Sequence, residues 1–249
     1  MSELQHPLSR SFEDIAELYE RTRPSYPAAA VDWLADELGI DAKSTVLDLG
    51  AGTGKLTRAL IKRGAHMITV EPGPEMLAQL QRAVPEAEAI LGAAEEIPLP
   101  TDAVDAVVCG QSFHWFRADE ALPEIRRVLR SGGGLGLIWS LRHPDDPLQN
   151  EITELLDPFV PSGRSEEQPS VAGVVHDAFG DVKPHVVSFE EEFDADALVE
   201  RIASISFVAA APVERQKDLE AALRALVASR GGRVAFRYLT EAYVTFSVA

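Results

Sequence analysis

The sequence predicts an α/β fold, a doubly wound and mostly parallel sheet, and three observations carry that expectation. Short apolar runs of strand length recur at 46–49, 67–70, 88–92, 104–109, 135–139, 186–193 and 236–246, which makes seven strands. Between the first five lie stretches with apolar residues at helical spacing, the alternation that joins parallel strands through helical crossovers. At the first strand-to-helix junction the chain reads Asp48-Leu49-Gly50-Ala51-Gly52-Thr53-Gly54, three alternating glycines directly behind a buried strand.

The elements follow in order. Phe12, Ile15 and Tyr19 suggest a helix over Ser11 to Arg21, and Arg23-Pro24-Ser25-Tyr26-Pro27 then makes an extended, rigid elbow. Ala28 to Leu38 is a second helix with Val31, Leu34, Ala35 and Leu38 on one face, stopped by Gly39. Behind the glycine turn, Leu56, Leu60 and Ile61 mark a helix that Gly64 ends. The second strand, Met67-Ile68-Thr69-Val70, runs into Glu71, and Pro74 opens a helix carrying Met76, Leu77, Leu80 and Val84. The fourth strand leads into Gly110-Gln111-Ser112-Phe113-His114-Trp115-Phe116. A helix from about Asp119 to Leu129 follows, ended by Ser131-Gly132-Gly133-Gly134, and Leu135 to Trp139 is the fifth strand. Arg142 to Ser170 is rich in proline and acid, with only Ile152, Leu155, Leu156 and Phe159 suggesting a helix, so a lid or substrate loop is expected there. Helices over Ala195 to Ser206 and Pro212 to Ser229 separate the last two strands.

Composition narrows the function classes. A chain of 249 residues suits one domain with a subdomain, and its hydrophobic fraction of 46% and charged fraction of 25% are those of a globular protein. No run reaches the apolar length of a membrane span, and Met1 to Arg10 lacks the apolar core of a signal peptide. Cys109 stands alone, which excludes an internal disulfide and makes a cytoplasmic location the expectation. The net charge of −17 repels phosphate backbones and anionic membrane surfaces. No nucleic acid and no membrane are therefore expected as partners, only a small molecule, with the chain a monomer or homodimer. The six histidines are scattered and none has metal-ligand spacing, so no metal is expected.

The spacing of the glycine turn decides among ligands. It reads GxGxG, whereas the dinucleotide fingerprint is GxGxxG. Asp48 precedes it, and Glu71 at the tip of the second strand can accept hydrogen bonds from both hydroxyls of a ribose. Together these residues resemble the class I S-adenosylmethionine-dependent methyltransferases. Gly92-Ala93-Ala94-Glu95 followed by Ile97-Pro98-Leu99 is similar to that family's adenine loop, and Arg127 to Gly133 to its turn before strand five. The resemblance implies a Rossmann-like, seven-stranded sheet with a small C-terminal helical cap. It implies S-adenosyl-L-methionine as cofactor, held by Asp48, Gly50, Ala51, Gly52, Gly54, Glu71, Pro72, Ala94, Glu95 and Gln111. Many members have aspartate where Ala93 stands, so adenine contacts fall to the backbone around Ala94 and to Glu95. The segment from Tyr19 to Pro27 is similar to one subgroup in which it lies over the cofactor, and the resemblance as a whole is closest to a broad small-molecule and carboxylic-acid group that includes trans-aconitate methyltransferase-like enzymes. Residues 1–141 would form the cofactor-binding core with an N-terminal lid, and 142–249 an acceptor-binding cap with the final strands.

A sulfonium methyl donor needs mainly alignment with its acceptor, and positioning alone can supply about 7–11 kcal/mol of the barrier. His114, just past the fourth strand, is the candidate general base if the acceptor must lose a proton. Phe113, Trp115 and Phe116 could wall an apolar pocket or stack on the sulfonium. Tyr19, Arg23, Tyr26, Trp115 and Arg142 are the substrate candidates, with His143 beside Arg142. The expected reaction is methyl transfer to a small molecule at an oxygen, carboxylate or hydroxyl. Two alternatives stand beside it, a catalytically silent S-adenosylmethionine-binding protein and an NAD-dependent dehydrogenase. Nucleic-acid methylation lacks both the charge and an Asn/Asp-Pro-Pro-Tyr motif after strand four.

Overall fold

A computed structural model describes residues 26–160 and 171–246. Its strands are β1 (Thr45–Leu49), β2 (His66–Glu71), β3 (Glu88–Leu91), β4 (Val104–Gly110), β5 (Leu129–Arg142), β6 (Lys183–Phe193) and β7 (Val234–Phe246). Its helices are α1 (Ala28–Glu37), α2 (Lys55–Leu60), α3 (Pro74–Ala83), α4 (Ala118–Val128), α5 (Pro147–Leu156), α6 (Val171–Phe179), α7 (Ala195–Ala203), α8 (Ser206–Ala209) and α9 (Val213–Ser229). Tyr19, Arg23 and the helix expected over Ser11 to Arg21 lie outside the described residues.

The strands form one seven-stranded sheet in the order β3-β2-β1-β4-β5-β7-β6. β1 to β5 run parallel, and β7 pairs antiparallel with both β5 and β6. β1 has neighbours on both sides and is buried on both faces, which is why Val46, Leu47 and Leu49 read as a continuous apolar run. The order reverses between β1 and β4, and ligands of such sheets lie beyond the carboxyl ends of the strands at that reversal.

Three apolar cores follow. Leu47, Leu49, Val107, Leu135 and Leu137 pack against α4 and α6 on one face. Val46, Met67, Val108 and Ile138 pack against α1 and α2 on the other. A third core joins Ile152, Leu198, Leu219 and Leu223, on α5, α7 and α9, to Phe236 and Tyr238 of β7.

Three local expectations need correction. The glycine run does not end a helix: α4 stops at Val128, and Leu129 already begins β5. The register between β4 and β5 jumps from Val104↔Leu129 to Ala106↔Gly134, so three extra residues bulge out of β5. Gly134 is required by close approach, because a Cβ there would lie 2.6 Å from Leu38 Cδ2. The helix that Ile152, Leu155 and Leu156 suggest after Arg142 is α5, and Asp146 caps it, its Oδ1 accepting from Leu148 N at 3.0 Å and its Oδ2 from Arg237 N at 2.9 Å. α6 was not foreseen; its Phe179 is buried in the first core with the Arg126 guanidinium 5.2 Å from its ring centre. The helix expected over Ala195 to Ser206 breaks after Ala203, where the buried Ser204 hydroxyl turns back to Arg201 O at 2.7 Å.

Candidate active site

The glycines of the first turn have separate tasks. Gly50 adopts φ +68°, and a Cβ there would meet Ser112 Cβ at 2.7 Å and Phe116 Cζ at 3.2 Å, so only glycine fits. Ser112 is fixed in turn, its hydroxyl donating to Leu49 O at 2.8 Å. Gly52 adopts φ +57°, yet a Cβ there would meet nothing within 4 Å. Here the side chain is excluded by backbone conformation, while the space over the backbone stays open on the protein side. Gly54 packs its α-carbon toward Leu80 and Val84. α2 behind the turn is only six residues long, so the backbone of the turn, rather than a long helix dipole, is what meets a ligand.

Two carboxylates frame this turn. Glu71, the last residue of β2, is buried. Its Oε2 accepts from Gly52 N at 2.8 Å and its Oε1 from Gly73 N at 2.9 Å, tying strand tip to glycine turn. A carboxylate offers about four acceptor sites, so two backbone donors position it and leave capacity for hydroxyl donors. Asp48 is 1% exposed. Its Oδ2 accepts from the Thr57 hydroxyl at 2.6 Å, and its Oδ1 is buried with no hydrogen-bond partner among the described residues. Burial pushes its pKa up to about 6, against the opposing Thr57 hydrogen bond. Thr57 and Ser112 escaped sequence reasoning, although Thr57 sits between Leu56 and Leu60 on the inward face of α2.

The remaining candidates divide. Ala94 is buried, and the loop it belongs to is held from α4: Glu124 accepts from Ile97 N at 2.9 Å, while Arg127 donates to Ile97 O at 2.8 Å and Leu99 O at 2.7 Å. Those bonds explain why the two segments occur together. Glu95 is already engaged, accepting from Arg117 N at 2.9 Å. Gln111 has φ +58° and donates from Nε2 to Ser140 O at 2.8 Å, so its side chain fastens β4 to β5. Tyr26 reaches the same place from the segment just before α1, its hydroxyl oxygen 2.7 Å from where a Cβ on Gly110 would stand. Phe113 and Phe116 pack edge to face at 5.7 Å, with Phe113 buried in the first core. His114 and Trp115 are half-buried with ring centres 4.9 Å apart. His114 Nδ1 accepts from the Trp139 indole N–H at 3.2 Å, which places the proton of the neutral ring on Nε2. His143 is occupied in the loop before α5, accepting from Asp145 N at 3.2 Å. Cys109 is fully buried, and its thiol pKa is pushed up by burial.

A family model described as a methyltransferase domain matches residues 47–137, the span from β1 into β5. An uncharacterized methyltransferase of Mycobacterium tuberculosis is 39% identical over 242 residues, covering 97% of this chain and 95% of the relative. The chain belongs to the class I S-adenosylmethionine-dependent methyltransferases. An uncharacterized methyltransferase of Schizosaccharomyces pombe is 34% identical over 243 residues, covering 95% of this methyltransferase and 96% of its own length. Among solved structures, a candidate type II methyltransferase from Anaeromyxobacter dehalogenans shares the fold with a TM-score of 0.66 at 23% identity, over 90% of this chain and 97% of that one. The phospholethanolamine N-methyltransferase 2 of Haemonchus contortus, solved with phosphomonomethylethanolamine and S-adenosylhomocysteine, gives a TM-score of 0.60 at 14% identity, over 100% of this methyltransferase and 61% of that chain. Family membership sets aside the dehydrogenase alternative.

The residues present fit the family's methyl donor. The uncovered backbone at Gly52, the positioned Glu71 carboxylate and the unpartnered Oδ1 of Asp48 supply the acceptors and the open surface that a ribose and a cationic amino acid moiety need.

Proposed function

We propose that this methyltransferase transfers the methyl group of S-adenosylmethionine to an oxygen of a small molecule, with the donor held by the glycine turn and Glu71. The observation that carries this reading is the joined pair of Glu71 and Gly52. A strand-tip carboxylate there is locked to a backbone where, among the described residues, a Cβ on Gly52 would meet nothing within 4 Å. When bound, S-adenosylmethionine supplies a sulfonium-activated methyl carbon. The chain's part is to hold and orient. Asp48, Gly50, Ala51, Gly52, Gly54, Glu71 and Pro72 line the donor side, with Ala94 and the loop braced by Arg127 beside the adenine. α5, α7 and α9 form the cap against which the acceptor lies, and Tyr26, Trp115 and Arg142 face it.

His114 serves in this reading as a positioning residue. A base needs an unprotonated nitrogen, and Nδ1 is committed to Trp139. An acceptor that is already ionised at neutral pH, such as a carboxylate, needs no base. The rate of His114→Gln should then show no loss of an imidazole-like ionisation relative to wild type. A wild-type rate that rises through an apparent pKa near about 6.5 and flattens in the variant would restore the general base.

The assignment as a whole is tested by incubating the protein with methyl-labelled S-adenosylmethionine and an acceptor library, then reading labelled products by mass spectrometry. Label on an oxygen of a small molecule is the expected result. Label found only on nitrogen or carbon would overturn the accepting atom, and absence of donor binding by calorimetry would overturn the reading itself.

A further inference from the structure

The outer end of the sheet gathers a polar cluster that the methyl donor does not explain. Inward positions of β6 are His185, Val187, Phe189, Glu191 and Phe193, so Glu191 is an acid set between two phenylalanines on that face. On α7 the neighbours Leu198 and Ile202 are buried core residues, and Arg201 between them is only 8% exposed. Among the described residues its Nε and Nη1 are buried without a hydrogen-bond partner, and so is Oε2 of Glu191. The two side chains attract each other through space, but those atoms do not meet. Burial raises the Glu191 pKa, with Arg201 and Lys55 acting against it.

Arg142 completes the cluster at the end of β5, opposite Tyr238. Its side chain is open to solvent on one side, and its Nη1 donates to Thr153 Oγ1 of α5 at 3.0 Å. Crowding by the surrounding protein and the nearby Arg201 charge lower its pKa. Lys55 follows Gly54 directly, so the cluster borders the glycine turn.

A buried guanidinium with unmade hydrogen bonds costs the fold, and a second arginine beside it adds repulsion. Sequences keep such local conflicts where a ligand resolves them. Guanidinium forks match oxyanions in shape and charge. We propose that Arg201 and Arg142 form an oxyanion subsite under the cap that holds a carboxylate of the methyl acceptor. Glu191 keeps an oxygen for a hydroxyl or amino group on the same molecule. Two guanidinium charges against one carboxylate leave room for a monoanion, whereas a phosphate near its second ionisation would meet Glu191 with excess charge. The net charge of −17 repels anions at long range, so an acidic acceptor depends on local cations for capture. This inference rests on the methyl-transfer reading above and names its substrate class.

The test uses the full chain saturated with S-adenosylhomocysteine, probed with propionate, lactate and inorganic phosphate against chloride at matched ionic strength. Propionate should raise the melting temperature above chloride, and lactate, which adds a hydroxyl, should raise it further. Arg201→Met should weaken carboxylate affinity by about tenfold or more and bind S-adenosylhomocysteine as wild type does. Glu191→Gln should erase the advantage of lactate over propionate. Arg142→Gln, on the accessible wall, gives the same carboxylate loss independently of how Arg201→Met folds. A wild type that does not distinguish carboxylates from chloride, or full carboxylate response in Arg142→Gln, would overturn the subsite. Stronger Arg201-dependent stabilisation by phosphate would overturn the carboxylate. A protein that binds no S-adenosylhomocysteine would instead defeat the methyl-transfer reading.

Discussion

The inner and outer halves of the sheet solve opposite problems. Around β1 and β2 most polar groups of the glycine turn are positioned by the protein itself: Glu71 accepts from two backbone donors, Asp48 accepts from Thr57 while its Oδ1 is unpaired among the described residues, and the Ser112 hydroxyl donates to Leu49 O. Around β5, β6 and α7, charged groups are buried with bonds unmade at Arg201 and Glu191. The first arrangement is a cradle shaped before its ligand arrives. The second is a site whose hydrogen bonding a ligand must finish. A donor shared by a whole family suits the former, and an acceptor that differs between members suits the latter.

Substitutions can break that contrast, and the largest effect belongs to Gly50. Gly50→Ala combines left-handed strain with a 2.7 Å approach to Ser112 Cβ. It should lose about 2–4 kcal/mol of stability together with donor binding. Urea unfolding and calorimetry with S-adenosylhomocysteine read both, and a variant of normal stability would show the turn to be more plastic than its geometry.

Asp48 comes next. Its pKa of about 6 in the folded state, against 3.8 ordinarily, corresponds to about 3 kcal/mol. Below about pH 4 both states hold the proton. Between there and pH 6 the folded state binds more protons, so ligand-free stability falls as pH rises and stays lower above. Asp48→Asn should flatten that slope in unfolding curves taken from pH 4 to 7. Glu71→Ala should weaken S-adenosylhomocysteine by about one to two orders of magnitude, since hydrogen bonds to a charged group contribute about 1.5–3 kcal/mol. Equal calorimetric affinity in that variant would remove Glu71 from the donor site. Trp139→Phe should be mildest, costing about 1 kcal/mol and freeing His114 Nδ1. The visible consequence is an imidazole resonance that titrates at higher pH in NMR, and an unchanged titration would mean the indole bond has no hold on the ring.

The same contrast explains what the sequence disclosed. Asp48 to Gly54 is one contiguous run and Glu71 stands at the next strand end, so local spacing sufficed to place the cradle. The outer site is assembled from Arg142, Glu191, Arg201 and Tyr238, whose proximity depends on the antiparallel pairing of β7 with β5 and β6. Arg142 was noticed for its position after strand five. Glu191 and Arg201 each broke an apolar pattern, but a lone charge in a stripe reads as a solvated face until the partner strand is known. The glycine run misled for a similar reason. Glycines that end a helix and glycines that admit Leu38 and Phe246 against a strand look alike without the neighbours.

The Asp146 carboxylate has one further consequence. By accepting from Leu148 N on α5 and Arg237 N on β7, it couples the first turn of that helix to the sheet's penultimate strand. Gln149 strengthens the joint by donating to Arg237 O. Fraying of α5 therefore requires β7 backbone bonds to open with it. Amide hydrogens of both elements should exchange with solvent as one cooperative unit, and Asp146→Ala should split that unit into two with separate exchange rates.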